Sequence, residues 1–193
     1  MSSQEQLTAP RRRADRQADM VTKLVEAAVE ELRLAGYEGL TVRNVARRAG
    51  VASATAYTWF ASKDHLVAEA FWRRLLTVPE VRIDRRWAPA RRIGEALRPV
   101  GEFVASAPEL AAAATTAVLA ADPDVAALRL RIGAFMHRRM LDALGDDSTE
   151  PVIAALDLVF SGALLQAGMG VFPYEELADR MTAVAALLTG GVR

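Results

Sequence analysis

The 193-residue sequence predicts an all-α chain, a small N-terminal helical unit followed by a larger helical bundle. Three observations support this. Apolar residues recur at helical spacing almost throughout, strand-like alternation and Asn-Gly or Asp-Gly hairpin signals are absent, and proline and glycine fall where helices of ordinary length would end. About nine helices fit between these breaks.

Residues 1–14 are polar, contain the run Arg11, Arg12, Arg13, and offer little to bury in exchange for ordering entropy, so they read as a flexible basic arm. A first helix is expected from about Asp15 to Ala35, with Val21, Leu24, Val25, Ala28 and Leu32 forming one apolar stripe and Gly36 placed as a left-handed cap. Thr41 caps a short helix through Ala49 that turns Val45 and Ala46 inward and Arg43, Asn44, Arg47 and Arg48 outward. Gly50 stops it. Ala52 or Ser53 then opens a second short helix through Phe60, and Ser62 caps a longer one from Lys63 to about Val78. Two short helices across a glycine turn make a helix-turn-helix, so 15–62 read as one domain and 63–193 as another.

Five further helices are expected: Ala90 to Ala105, Pro108 to Ala121, Pro123 to Leu144, Pro151 to about Gly168, and Tyr174 to Thr189. Asp122 before Pro123 is a strong start signal, and Pro99 should bend or split its helix by deleting a backbone hydrogen bond.

Composition narrows the function. The absence of cysteine excludes disulfide scaffolds and Cys-ligated metal sites, and His65 and His137 are too few and too far apart for a His-based one, so neither metal nor cofactor is expected. No uninterrupted apolar run approaches a membrane span and the start lacks a signal-peptide core, which makes the cytoplasm the expected location. Net charge is zero, but residues 1–98 hold 18 basic and 12 acidic side chains whereas 99–193 hold 6 and 12. A basic front half and an acidic back half imply two jobs.

The stretch from Thr41 to Leu66 carries the clearest signal. Its Thr41-Val-Arg43 start, Ala49-Gly-Val51 turn, Thr55-Ala-Tyr57 helix, Trp59-Phe60 step and Ser62-Lys-Asp-His-Leu66 cap resemble the DNA-binding signature of the TetR family of bacterial transcription regulators. The resemblance covers about residues 15–70, and it implies a C-terminal domain for ligand binding and dimerisation, with the last two helices forming a four-helix interface. Ala52 and Ala54 depart from the usual serine and glycine, and Ser53 is a candidate to take over the cap.

The residues support the same reading directly. A helix entering the roughly 12 Å wide major groove needs small residues where backbone nears DNA and polar tips at base edges. Ser53, Ala54, Thr55 and Ala56 are small, Ser53, Thr55 and Thr58 can hydrogen-bond, and Tyr57 and Lys63 suit phosphate oxygens. Thr41 sits at a helix start, and Arg43 can reach a base or a phosphate, as can Arg11 to Arg13 and Arg16 at the flanks. Trp59 and Phe60 read as core, Arg47 and Arg48 as a solvated face, and His65 as either surface or phosphate contact.

In the back half, Phe103, Met136, Phe160, Leu164 and Met169 are candidates for an adaptable apolar pocket, with His137 as its polar anchor. Leu156, Val159 and Ala163, then Leu177, Met181, Val184 and Leu188, form stripes for packing on each other and on a second copy. A homodimer also matches what one helix-turn-helix needs to read a palindrome. The expected function is therefore a TetR-like repressor, released from operator DNA by a small hydrophobic ligand. An enzyme is disfavoured because no Cys nucleophile, phosphate loop or catalytic carboxylate set stands out. The remaining alternative is a helical ligand-binding or adaptor protein without sequence-specific DNA binding.

Overall fold

The computed structural model describes the backbone of residues 5–190 and the side chains of residues 17–190. Nine α-helices and no strand occur among the described residues. They are α1 (Glu5–Gly39), α2 (Val42–Arg48), α3 (Ser53–Trp59), α4 (Lys63–Leu75), α5 (Pro89–Ser106), α6 (Pro108–Ala117), α7 (Pro123–Leu144), α8 (Glu150–Gly168) and α9 (Leu177–Gly190). Short 3-10 turns over Gly145–Asp147 and Tyr174–Glu176 precede α8 and α9.

The helix starts follow the capping residues. Thr41 Oγ1 accepts from Asn44 N at 3.1 Å, Ser62 Oγ from His65 N at 3.0 Å, and Asp122 Oδ1 from Asp124 N at 2.8 Å, each satisfying an amide with no intrahelical partner. Gly36 has φ 64° and interrupts α1 where a cap was expected. The first helix nevertheless begins at Glu5 rather than near Asp15. Its polar N-terminal residues include good helix formers such as Glu, Gln, Ala and Arg, which can extend a helix whose later turns are anchored by packing. Residues 1–4 lie outside the described residues, as do the side chains of Arg11 to Arg13 and Arg16.

Pro99 does not split α5, which stays continuous across it. α5 packs most extensively on α9, and its Gly94 makes the close approach possible. A Cβ added there would lie 2.0 Å from Thr182 Oγ1. Leu177, Met181 and Ala185 of α9 are fully buried, as are Ile93 and Leu97 of α5, the helix on which α9 packs. α4 is the link between the two units, packing on α1 behind the helix-turn-helix and on α6 and α7 of the bundle.

α8 is long and apolar enough, by length and composition alone, to cross a membrane. Its packing gives it another job: Val152, Ile153, Leu156, Phe160 and Ala167 are buried against the bundle, and Asp157 at mid-helix pairs with His137 of α7 at 2.7 Å. The end of α7 is held by Arg92, a buried side chain of α5 that donates to the Leu144 carbonyl at 2.6 Å and pairs with Asp147. A cation at a helix C-terminus satisfies carbonyls that have no further turn to bond.

Candidate nucleic-acid interface

α2 and α3 owe their fixed relation to the turn between them. Gly50 has φ 67°, Gly50 N bonds to Arg47 O at 3.2 Å, and Val51 N bonds to Ala46 O at 2.9 Å. This is the 5→2 and 6→1 pair of a Schellman motif, which requires a left-handed residue and hence glycine. Ala52 is the N-cap of α3 and offers no side-chain bond, so Ser53 does not take over the cap but is the first helical residue.

The inward face of α3 is Ala56, fully buried, followed by Phe60 just past the helix end, which is also buried. Ala56 therefore belongs to the core of the three-helix unit and does not face a groove, while Trp59 is half-buried against that core, as expected. The outward face carries Ala54, Tyr57 and Thr58, with Ser53 and Thr55 half-exposed beside them. Tyr57 is 52% exposed, although it is a large aromatic with no partner in this face. Thr58 Oγ1 donates to Thr55 O at 2.6 Å, so its hydroxyl hydrogen is already used within the helix.

Thr41 and Arg43 are exposed at the start of α2. Arg43 and Arg47, one turn apart on that helix, make no ion pair among the described residues, which leaves two guanidinium charges for solvent or phosphate. Arg48 is exposed, as expected, but is also held in an ion pair. Its Nε donates to Glu31 Oε2 at 2.7 Å, and Glu31 is buried on the inner side of α1. Glu31 lies one turn beyond Ala27 and Ala28 and beside Leu32, so a carboxylate within the apolar stripe was the signal for a buried pair.

Lys63 is half-buried: Nζ donates to Tyr37 O at 3.1 Å and lies 4.1 Å from the centroid of the Tyr37 ring. The Tyr37 hydroxyl in turn donates to the Asp64 carboxylate. Burial, followed by this hydrogen bond to an anion, pushes the Tyr37 hydroxyl above its ordinary range. His65 takes neither expected role. Its ring packs edge-on against Phe60, with centroids 5.1 Å apart, and Nδ1 is 3.7 Å from Asp124 Oδ2.

The expected ligand residues are not gathered around one opening. Met136 and Phe160 fill the core, Phe103 packs on Phe71, Leu164 is half-buried, Met169 is exposed, and His137 is paired with Asp157. None of the six lines the cavity of about 350 Å³ that opens between the α4–α5 connection, α5 and α7. Of the expected dimer residues, Leu156 of α8 is fully buried within the single chain, as are Leu177 and Met181, because α9 turns that face to α5. Val159, Ala163, Val184 and Leu188 are half-buried. The large apolar side chains left exposed on α8 and α9 are Leu158, Leu165 and Leu187.

A capped scaffold helix, a glycine turn, a second helix with a small polar outer face, and exposed arginines without an ion pair among the described residues define a helix-turn-helix DNA-binding regulator. Comparison with known proteins agrees. Residues 24–70 match the profile of bacterial regulatory proteins of the tetR family. An uncharacterized HTH-type transcriptional regulator of Mycobacterium tuberculosis is 45% identical over 178 residues, covering 91% of this chain and 83% of that protein. The HTH-type transcriptional repressor KstR of Rhodococcus jostii is 33% identical over 135 residues, 67% of this chain and 60% of KstR. The crystal structure of a TetR transcriptional regulator from Rhodococcus sp. RHA1 has the same fold, with a TM-score of 0.71 at 21% identity over 92% of this chain and 100% of that one. The chain belongs to the TetR family of bacterial transcription regulators, whose members are regulators and not enzymes.

Proposed function

We propose that this regulator is a repressor that binds a palindromic operator as a homodimer and is released by a small effector held among its C-terminal helices. The observation that carries the DNA-binding half is the outer face of α3, where Ala54, Tyr57 and Thr58 stand clear of the core beside Arg43 and Arg47 without ion-pair partners among the described residues. Small side chains admit the backbone to the major groove and the arginines supply phosphate charge. The name of the similar KstR supports repression. Two copies joined through Leu158, Leu165 and Leu187, flanked by Val159, Ala163, Val184 and Leu188, would present two recognition helices to two half-sites.

Fluorescence anisotropy with the duplex upstream of the protein's own coding region, against a scrambled duplex at two salt concentrations, tests the reading. The expected result is preferential, salt-sensitive binding with two subunits per site. Equal, weak binding to both duplexes and to other promoter fragments would favour the adaptor alternative.

A further inference from the structure

We propose that the cavity between the α4–α5 connection, α5 and α7 is the effector site, and that the effector is a small organic acid: one carboxylate on an apolar body. The inference rests on the regulator reading above and gives the small hydrophobic ligand expected from sequence an acidic group.

The lining divides into two kinds of wall. Val81, Ile83 and Phe135 are apolar, and Phe135 packs edge-on against Trp72 of α4, with ring centroids 5.8 Å apart. Arg85, Arg138 and Arg139 supply three guanidinium groups, none of which makes an ion pair among the described residues. Arg139 is the inner one. It is half-buried, donates Nε to Ala96 O at 2.6 Å and Nη2 to Pro79 O at 2.5 Å, and leaves Nη1 without a protein partner among the described residues. Its two bonds are to neutral carbonyls, so they orient the planar fork without cancelling its charge. Burial accordingly lowers the Arg139 guanidinium from its ordinary range, with the Glu80 carboxylate acting in the opposite direction.

The size and charge of the cavity select among anions. A volume of about 350 Å³ is near the lower end of the roughly 300–1,000 Å³ of small-molecule sites and accommodates a compact acid. Glu80 and Asp142 also face the cavity, and like Arg85 and Arg138 they are exposed to water, where charge is screened more than that of the half-buried Arg139. Three cations against two anions leave one positive charge to satisfy. A monoanionic carboxylate matches it and can accept two N–H bonds from one guanidinium, whereas a doubly charged phosphate would meet Glu80 and Asp142 with excess charge.

The test is calorimetric titration of the full chain with phenylacetate, 4-phenylbutyrate and hexanoate, each beside its neutral primary amide, followed by anisotropy of the bound operator duplex. At least one acid should saturate the protein, bind about tenfold more tightly than its amide, and change duplex affinity. Arg139→Gln should weaken that binding about tenfold or more, and Glu80→Gln, which removes a competing anion, should strengthen it several-fold. Should Arg139→Gln unfold the protein, Arg138→Gln removes an exposed charge from the same wall and should weaken binding a few-fold. Failure of all three acids to saturate at millimolar concentration, equal binding of acid and amide, or acid binding with no effect on the duplex each overturns the proposal. Loss of acid binding with operator binding intact leaves the regulator reading standing; acid binding without any operator binding removes that reading instead.

Discussion

Ser62 Oγ donates to Asp122 Oδ2 at 2.8 Å, joining the cap of α4 to the cap of α7. Each residue already caps its own helix, since Ser62 accepts from His65 N and Asp122 accepts from Asp124 N. One hydrogen bond therefore ties the start of the helix that follows the helix-turn-helix to the corner between α6 and α7 of the bundle. The two residues are 60 positions apart, so neither helical spacing nor cap chemistry read from the sequence could connect them.

Asp122 should report this bridge through pH. Its carboxyl is held below the ordinary carboxylate range, first by the Ser62 hydroxyl and then, against some desolvation, by the amides of Asp124 and Val125. A carboxyl depressed in the folded state contributes stability that is complete above its unfolded pKa, about 3.9, and is lost as pH falls through the folded value. Thermal melts between neutral pH and pH 3 should therefore show a steeper acid loss for the natural protein than for Asp122→Asn. At neutral pH Ser62→Ala should cost about 1 kcal/mol through the lost cap alone. If the two substitutions are strictly additive in a double-mutant cycle, the bridge contributes nothing.

The pair of Glu31 and Arg48 should behave asymmetrically. Arg48→Ala strands a buried carboxylate and is expected to cost roughly 1–3 kcal/mol, less than a fully buried pair because Arg48 is partly exposed. Glu31→Leu with Arg48→Met replaces the pair by apolar contact and should recover most of that loss. Chemical denaturation of the natural protein and the two variants checks the ranking; a double variant less stable than Arg48→Ala would refute it.

Local chemistry explains why so much of the fold was readable in the sequence. Thr41, Ser62 and Asp122 mark helix starts by side-chain chemistry that acts within three residues, and Gly50 marks a turn that needs positive φ. The outer face of α3 was legible for the same reason, except at Ala56, which is buried: a short helix shows both faces the same small side chains, and only packing chooses. The burial of the dimer candidates Leu177 and Met181 was less legible because α9 presents apolar side chains on two faces. Which of Leu177 and Leu187 is buried within the chain and which is left exposed is decided by how closely α5 approaches, and thus by Gly94. Arg139 gave no signal in sequence, since its role depends on Pro79 and Ala96 carbonyls from other segments.

Gly94→Ala should test that close approach. The new methyl would meet Thr182 Oγ1 at 2.0 Å and Thr182 Cβ at 3.3 Å, forcing α5 and α9 apart or Thr182 out of its rotamer. Overpacking of this kind costs about 1–3 kcal/mol. Pairing Gly94→Ala with Thr182→Ala removes the nearer clash but leaves the Cβ contact, so the melting temperature should be restored only in part.

DNA contacts separate by their dependence on salt and sequence. Arg43→Ala or Arg47→Ala should weaken binding to every duplex similarly and reduce the salt slope by about one, the signature of a single phosphate contact. Tyr57→Phe should also weaken all sequences alike, by about 1 kcal/mol, because it removes one hydroxyl from an otherwise intact face. Thr55→Ala should chiefly relax sequence preference. Lys63 is the discriminating case. Its ammonium already lies on the Tyr37 ring and carbonyl, so an unchanged salt slope in Lys63→Ala, with lowered thermal stability, would assign it to the internal contact and not to phosphate.

Exposed leucines on α8 and α9 give the clearest check of assembly. Leu158 is 76% exposed and Leu187 is 80% exposed, so replacing either by glutamate disturbs little within one chain. A side chain that stays in water loses almost nothing on becoming charged, whereas one buried between two copies places an unpaired carboxylate in an apolar interface. Leu158→Glu and Leu187→Glu should therefore leave the melting temperature of dilute protein nearly unchanged, shift light-scattering mass from dimer to monomer, and reduce operator affinity by a larger factor than binding to a half-site. A dimer unaffected by both substitutions would move the interface elsewhere, with the exposed Leu119 and Leu130 as the next apolar positions to change.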